Sequence, residues 1–273
     1  MKRLFNFTVT YYIFEKGYIM QRIQLILNLK TDNLSLSSSK LITYLHGVLM
    51  ETIDTTYANK LHNQQFNPYS MHLYPIKERY CWEINLLTEE AIDEIATVIL
   101  NEQFDAFKIK SLDDKEVIIE EKKTEIRTKD NLAEVFYRTE SKQSLQIKFD
   151  SSTAFKQAGE YVFHPDIRLI FQNILMRYHF LYEEEKEIEE EILDEIIKAI
   201  KITSYNVQSS YYPIHRSRIP AFRGEIKIRI EGNDTIKNYI LMLLKFAEYS
   251  GVGIKTSLGM GSIRLLNERR RNG

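Results

Sequence analysis

The chain has 273 residues, 44% of them hydrophobic and 27% charged, with a formal net charge of −1. That length builds one large domain or two small ones, and the ordinary composition excludes a disordered chain, a collagen or a coiled-coil rod. One cysteine, Cys81, excludes an intrachain disulfide framework and a multi-cysteine zinc site, and no run approaches the ~18 uncharged apolar residues of a membrane helix, so a soluble, reduced, cytoplasmic protein with no membrane partner is expected.

Residues 1–20 are aromatic-rich, interrupted by Glu15-Lys16-Gly17, and lack the compact apolar run and small-residue cleavage site of a signal peptide. Two readings stay open for them: an extra strand, or an extension upstream of a start near Met20. From Arg22 the alternation in QRIQLILNL predicts a strand. Ser37-Ser38-Ser39 offers N-cap hydroxyls to a helix whose stripe is Leu41, Leu45, Val48, Leu49 and Ile53, with Tyr57 to His62 continuing or capping it. A turn at Asn67-Pro68 leads to strands at Met71 to Pro75 and Tyr80 to Leu86. A second helix, Glu89 to Asn101, carries Ile92, Ile95, Ala96 and Ile99 on one face, and strands at Phe104 to Ile109 and Val117 to Glu121 close the unit. This is the βαββαβ order of a ferredoxin-like domain.

The order then repeats. Ser144 to Phe149 is a strand, and Pro165 to Tyr182 a helix with proline near its first turn. The acidic segment after it extends that helix or forms another to about Lys198. Tyr205 to Tyr212 and Gly224 to Glu231 read as strands, the second by alternation of Ile226, Ile228 and Ile230; Asp234 caps a helix over Thr235 to Tyr249, and Ser262 to Leu266 is the last strand. The expected class is α+β, two tandem ferredoxin-like domains at 21–125 and 143–268, with the RRM-like order of elements. A polar linker over 122–142 joins the halves.

Charge is unevenly spread. Residues 181–195 hold nine acidic side chains and one lysine, a net of −8, which leaves +7 on the rest of the chain. Residues 201–273 carry thirteen Lys and Arg against five Asp and Glu. A cationic face for a polyanion and a solvated acidic helix beside ordinary surface lysines both fit that pattern.

The strongest local signal is GVGIKTSLGMG over 251–261, where Gly251, Gly253, Gly259 and Gly261 surround Lys255, Thr256 and Ser257. Glycines this dense supply positive φ or close backbone approach. One fixed charge, two hydroxyls and free N–H groups are the parts of an anion cradle that follows a phosphodiester chain. The bland reading is a loop that lets the last helix pack on the sheet. A P-loop and a Rossmann fingerprint are excluded, because both open a helix whereas this segment runs from helix to strand.

GVGIKTSLGMG before the last strand resembles the glycine-rich signature of the RAMP superfamily of CRISPR-associated proteins. YLHGVLMETI with KLHNQQFNPYSMHLY, SSTAFKQAGEYVFHPDIRLIFQNIL and IPAFRGEIKIRI further resemble the endoribonuclease that processes precursor CRISPR RNA, in wording nearest to members accompanying type III systems. The resemblance spans roughly 21–266. It implies cleavage of repeat RNA by its own 2′-hydroxyl, giving a 2′,3′-cyclic phosphate and a 5′-hydroxyl, with no metal or cofactor. It also implies precursor CRISPR RNA and type III interference-complex subunits as partners. A non-catalytic RNA-holding subunit of such a complex is the alternative, and a dimeric small-ligand domain of ferredoxin type is a third reading.

Six histidines are present. His46 sits about 140° from Leu41 on its helix, on the shoulder of the apolar stripe beside Met50. His62 follows Leu61 where the helix gives way to Asn63-Gln64-Gln65. The resemblance places an acid or base at the end of this helix, so His62 is the first catalytic candidate and His46 the second. Imidazole, with an ordinary pKa of roughly 6.5, suits either proton transfer at cellular pH. Where the resemblance suggests a lysine after Pro68, the chain has Tyr69. His164 and His179 read as structural, His215 lies in a basic strand, and His72 receives no role. Lys255, Arg216, Arg218 and Arg223 are expected to hold RNA, with Tyr211 or Tyr212 stacking on bases.

Overall fold

A computed structural model describes residues 19–29, 37–138, 140–183, 189–214 and 217–266. Residues 1–18, His215, Arg216 and the centre of the acidic segment lie outside the described residues.

Alternation makes the first strand, β1 (Ile19–Asn28), two-faced. Ile23, Leu25 and Leu27 are fully buried on one side, while Arg22, Gln24 and Ile26 are half-buried on the other. Two helices follow where the stripe suggests one: α1 (Ser38–Thr52) and α2 (Thr55–Asn63). The break falls at Ile53-Asp54, because the Asp54 carboxylate accepts from the N–H groups of Thr56 and Tyr57 at 2.8 and 3.2 Å and starts a new helix. His62 therefore lies in the last turn of α2, not in the loop beyond it.

β2 (Tyr69–Ile76) and β3 (Arg79–Leu86) form a hairpin. The helical run α3, over 89–99, starts from a Thr88 cap and contains a π turn at Ile92–Ala96. β4 (Ala106–Ile109) and β5 (Lys115–Thr128) complete a five-stranded antiparallel sheet in the order β2-β3-β1-β5-β4. Without its edge strand β4, that order is the ferredoxin-like one. β5 outruns the expected strand because β1 pairs with it as far as Thr128.

The linker expected over 122–142 is thus half strand and half helix. α4 (Lys129–Arg138) buries Leu132 and Phe136, spaced for one helical face, and Asn238 Nδ2 donates to the Phe136 carbonyl at 2.9 Å.

The second sheet contains β6 (Ser144–Thr153), β9 (Ile200–Ile214), β10 (Ser217–Ile230) and β11 (Ile263–Leu266) in the order β11-β6-β10-β9. A small hairpin, β7 (Phe155–Gln157) and β8 (Glu160–Val162), follows β6. Two helices, α5 (Ile167–Tyr178) and α6 (Glu190–Ala199), occupy the first crossover, and α7 (Asp234–Ser250) the second. α7 is capped by Asn233, whose side chain accepts from the Ile236 N–H, rather than by Asp234. The fold is α+β with two ferredoxin-like sheets in tandem. No helix among the described residues is long and apolar enough to cross a membrane.

The halves interlock. Met20 and Leu87 pack into the core of the second, while Ala154, Tyr212 and Met260 pack into the core of the first. Polar contacts cross the same seam: Arg22 donates to the Glu248 carbonyl at 2.9 Å, Ser70 Oγ to the Tyr249 carbonyl at 2.5 Å, and Tyr74 meets Ser262 at 3.1 Å.

Candidate active site

A cleft of about 860 Å³ opens where α1 and α2 face α5 and the glycine-rich segment. His46 comes from α1 and His62 from α2, and both line it together with Gly253, Lys255, Thr256 and Ser257. None of the described residues lining this cleft is Asp or Glu.

The two imidazoles differ in setting. His46 sits on the inward shoulder of α1, and its Nε2 lies 3.1 Å from the Tyr69 hydroxyl. Burial, then repulsion from the nearby His62, lowers its pKa to about 4, so it is neutral at neutral pH. Tyr69 is fully buried, which pushes its phenol upward, and its oxygen also meets the Ser257 hydroxyl. Ser257 Oγ in turn accepts from Asn67 Nδ2 at 3.1 Å. His62 is exposed at the rim, one residue before α2 ends.

The glycine segment is held mainly by the protein's own backbone. Val252 N–H donates to the Gly261 carbonyl at 2.9 Å, Ile254 N–H to Ala154 at 3.0 Å, and Gly261 N–H to Ser152 at 3.0 Å. Gly253 has φ +80°, and an added Cβ would overlap the Ala154 carbonyl; Gly261 has φ +72°, and one there would overlap the Val252 carbonyl. Gly251, Gly259 and Gly261 are buried behind the cleft wall, and Gly253 alone of the four lines it. Close approach here is chiefly chain to chain, and it pushes Ile254 to Leu258 forward. Lys255, at φ +57°, is exposed at the tip.

Two contributors escaped the sequence reading. Arg177, on α5, lies at the cleft with Nε donating to Asn173 Oδ1 at 3.2 Å and Nη2 to the Gly253 carbonyl at 2.8 Å. Asn173 Oδ1 also accepts from the Gly253 N–H at 2.7 Å, so α5 holds the Gly253 backbone at both its N–H and its carbonyl. Phe66, four residues past His62, packs 5.1 Å from the Arg177 guanidinium and edge-on to Phe180 at 5.6 Å. A signal for Arg177 was present: Ile170, Ile174 and Tyr178 form the buried stripe of α5, and position 177 belongs to it.

Other candidates lie elsewhere. Arg218 and Arg223 are exposed on β10 outside the cleft lining, Arg223 with Nη2 3.5 Å from the Asp150 carbonyl. Arg216 lies outside the described residues. Tyr212 is buried with its hydroxyl on the Leu258 carbonyl, which removes it from base stacking, whereas Tyr211 is 66% exposed. His179 is buried, His164 is exposed, and His72 is buried in the seam.

Tandem ferredoxin-like sheets meeting at such a cleft are the RAMP architecture. The chain aligns with a Cas6 product complex at TM-score 0.73 and 19% identity, over 91% of this chain and 100% of that one. It aligns with a RAMP protein binding different RNA substrates at TM-score 0.58 and 15% identity, over 90% and 100%. The family described as CRISPR-associated endoribonuclease Cas6 matches residues 147–263. The CRISPR-associated endoribonuclease Cas6 of Streptococcus thermophilus is 41% identical over 221 residues, 81% of this chain and 89% of that protein. This chain belongs to the Cas6 family of CRISPR-associated endoribonucleases.

Proposed function

We propose that the cleft binds a CRISPR repeat in the precursor transcript and cuts it by attack of the RNA's own 2′-hydroxyl, maturing the guide RNA for an interference complex. A bond forms from O2′ to phosphorus as the bond to O5′ breaks, so the products end in a 2′,3′-cyclic phosphate and a 5′-hydroxyl. The O2′ proton must leave and the departing O5′ must gain one. Because the nucleophile belongs to the substrate, the step requires no metal-bound water.

The observation that carries this reading is His62: an exposed imidazole in a cleft without carboxylates among its described residues, lined also by Gly253, Lys255, Thr256 and Ser257. His62 exchanges the proton. His46, neutral and engaged with Tyr69, supports the site by orienting that phenol toward Ser257. Lys255, Thr256 and Ser257 contact the backbone of the RNA, on a shape fixed by Gly251, Gly253, Gly259 and Gly261. Arg216, Arg218, Arg223 and Tyr211 hold the strand further out along β9 and β10. In this reading 21–125 and 143–268 are the two walls. The protein works in the cytoplasm, where precursor transcripts are made, beside type III interference subunits.

The test is incubation of the protein with synthetic repeat RNA in a metal chelator, followed by end-group analysis. Cyclic phosphate and 5′-hydroxyl ends are expected, and His62→Ala should slow cutting by ~10²-fold or more while binding changes little. A wild-type protein that binds the repeat and never cuts it would instead be an RNA-holding subunit.

A further inference from the structure

Arg177 is the one lysine or arginine that the fold buries among the described residues, at 4% exposure. Other arginines find acids: Arg168 meets Glu190 and Asp194, Arg264 meets Asp150, and Arg22 meets Glu83. Among the described residues Arg177 has only neutral partners, namely the Asn173 side chain, the Gly253 carbonyl and the face of Phe66. A guanidinium has five N–H donors, and two of these contacts are hydrogen bonds. The remaining donors have no acceptor among the described residues. Burial lowers the pKa to about 10, so the group stays charged at neutral pH.

A cation taken out of water without a counter-charge is costly unless something else compensates it. Here it lies at a cleft lined by no acidic residue among those described. The planar fork suits a tetrahedral anion, since two of its donors can meet two oxygens. Asn173 and Phe66 fix the fork before any ligand arrives, which is the arrangement that stabilises charge without reorganisation.

We propose that Arg177 forms a phosphate subsite, its remaining N–H groups taking non-bridging oxygens of the phosphodiester held in the cleft and offsetting the charge that grows there during cleavage. The inference rests on the repeat-cleavage reading of the same cleft and names the side chain that receives the phosphate. The rival role is mechanical, a clamp on the Gly253 peptide.

Arg177→Met and Arg177→Lys separate the two. Three quantities are read: melting temperature, single-turnover cleavage at saturating protein, and the salt dependence of affinity for a repeat RNA carrying a 2′-deoxy sugar at the mapped cut. For Arg177→Met the subsite predicts a melting temperature within about 4 °C of wild type, a rate lower by ~10²-fold or more, and a log–log salt slope shallower by about 0.7. Arg177→Lys should recover the slope and only part of the rate. An unchanged slope in Arg177→Met overturns the subsite whatever happens to the rate, as does wild-type cutting by that variant. Lost melting stability with equal rate losses in both variants assigns the clamp and overturns it too. If the wild-type protein never cuts the repeat, the cleavage reading fails, and the slope, then read on unmodified repeat RNA, still decides the subsite.

Discussion

Lowering the pH from 8 to 5 should remove about 4 kcal/mol of folding stability through two histidines. His46 and His72 each have a pKa lowered from 6.5 to about 4, chiefly by burial. Groups facing His46 are His62 and the Tyr69 phenol. Those facing His72 are Glu83, Asp150, Arg22 and Ser70, the last with Oγ 3.4 Å from Nε2. The unfolded chain therefore takes up protons between about pH 6.5 and 4 that the folded chain refuses. Stability from these groups is complete above the unfolded value and drains away as pH falls through that window. Integrated down to pH 5, each depressed histidine accounts for roughly 2 kcal/mol, a large share of the 5–15 kcal/mol typical of a domain.

The measurement is urea unfolding at pH 8, 7, 6 and 5, read from the fluorescence of the single tryptophan, the fully buried Trp82. Asp54, Asp194 and Asp234, whose carboxyl groups are held below their usual range by hydrogen bonds, titrate beneath this window. His72→Gln should start from its own stability at pH 8 and lose about half as much on acidification. A profile flat to within about 1 kcal/mol, or a His72→Gln profile as steep as wild type, would refute the reasoning.

Tyr69→Phe strips His46 of its hydroxyl partner inside the protein and should cost about 1–3 kcal/mol in urea unfolding; it should also slow cleavage, and wild-type values for both would remove Tyr69 from the site. His46→Ala should impair cleavage less than His62→Ala in single-turnover assays, because the buried ring positions Tyr69 and does not exchange the proton; the reverse ranking would interchange the two roles. Gly261→Ala, at φ +72° against the Val252 carbonyl, should destabilise by at least about 2 kcal/mol, and a thermal melt unchanged from wild type would contradict the packing described here.

Much of this was legible in the residues. Strict alternation around Ile23, Leu25 and Leu27, and around Ile226, Ile228 and Ile230, placed central strands of both sheets, since burying one face forces a period of two. What misled was local competition. Asp54 reads as one more polar residue on a long helix until its carboxylate is seen capping a second one. Leu132 and Phe136 are too few to announce α4, whose burial depends on α7 arriving from a hundred residues away. His62 and Lys255 were visible from their surroundings, but their meeting at one cleft is tertiary. Arg177 was overlooked for the opposite reason: it drew no reading at all, although a charge on an apolar stripe is itself a signal.

The glycine segment shows why its chemistry was only half readable. Its glycines were expected to supply positive φ or a close backbone approach; all four have positive φ, and the close approach at Gly253 and Gly261 is to the protein's own backbone, at Ala154 and Val252. That does not weaken the case for an anion at the wall in front of them. A loop whose peptides are already hydrogen-bonded to Ser152, Ala154, Asn173 and Arg177 has little freedom left to lose on binding. Donors held on such a frame stabilise charge that appears during a reaction more than charge already solvated before it. Loosening the frame should therefore depress the cutting rate more than the affinity for uncut RNA, which separates a catalytic wall from a surface that merely holds a strand.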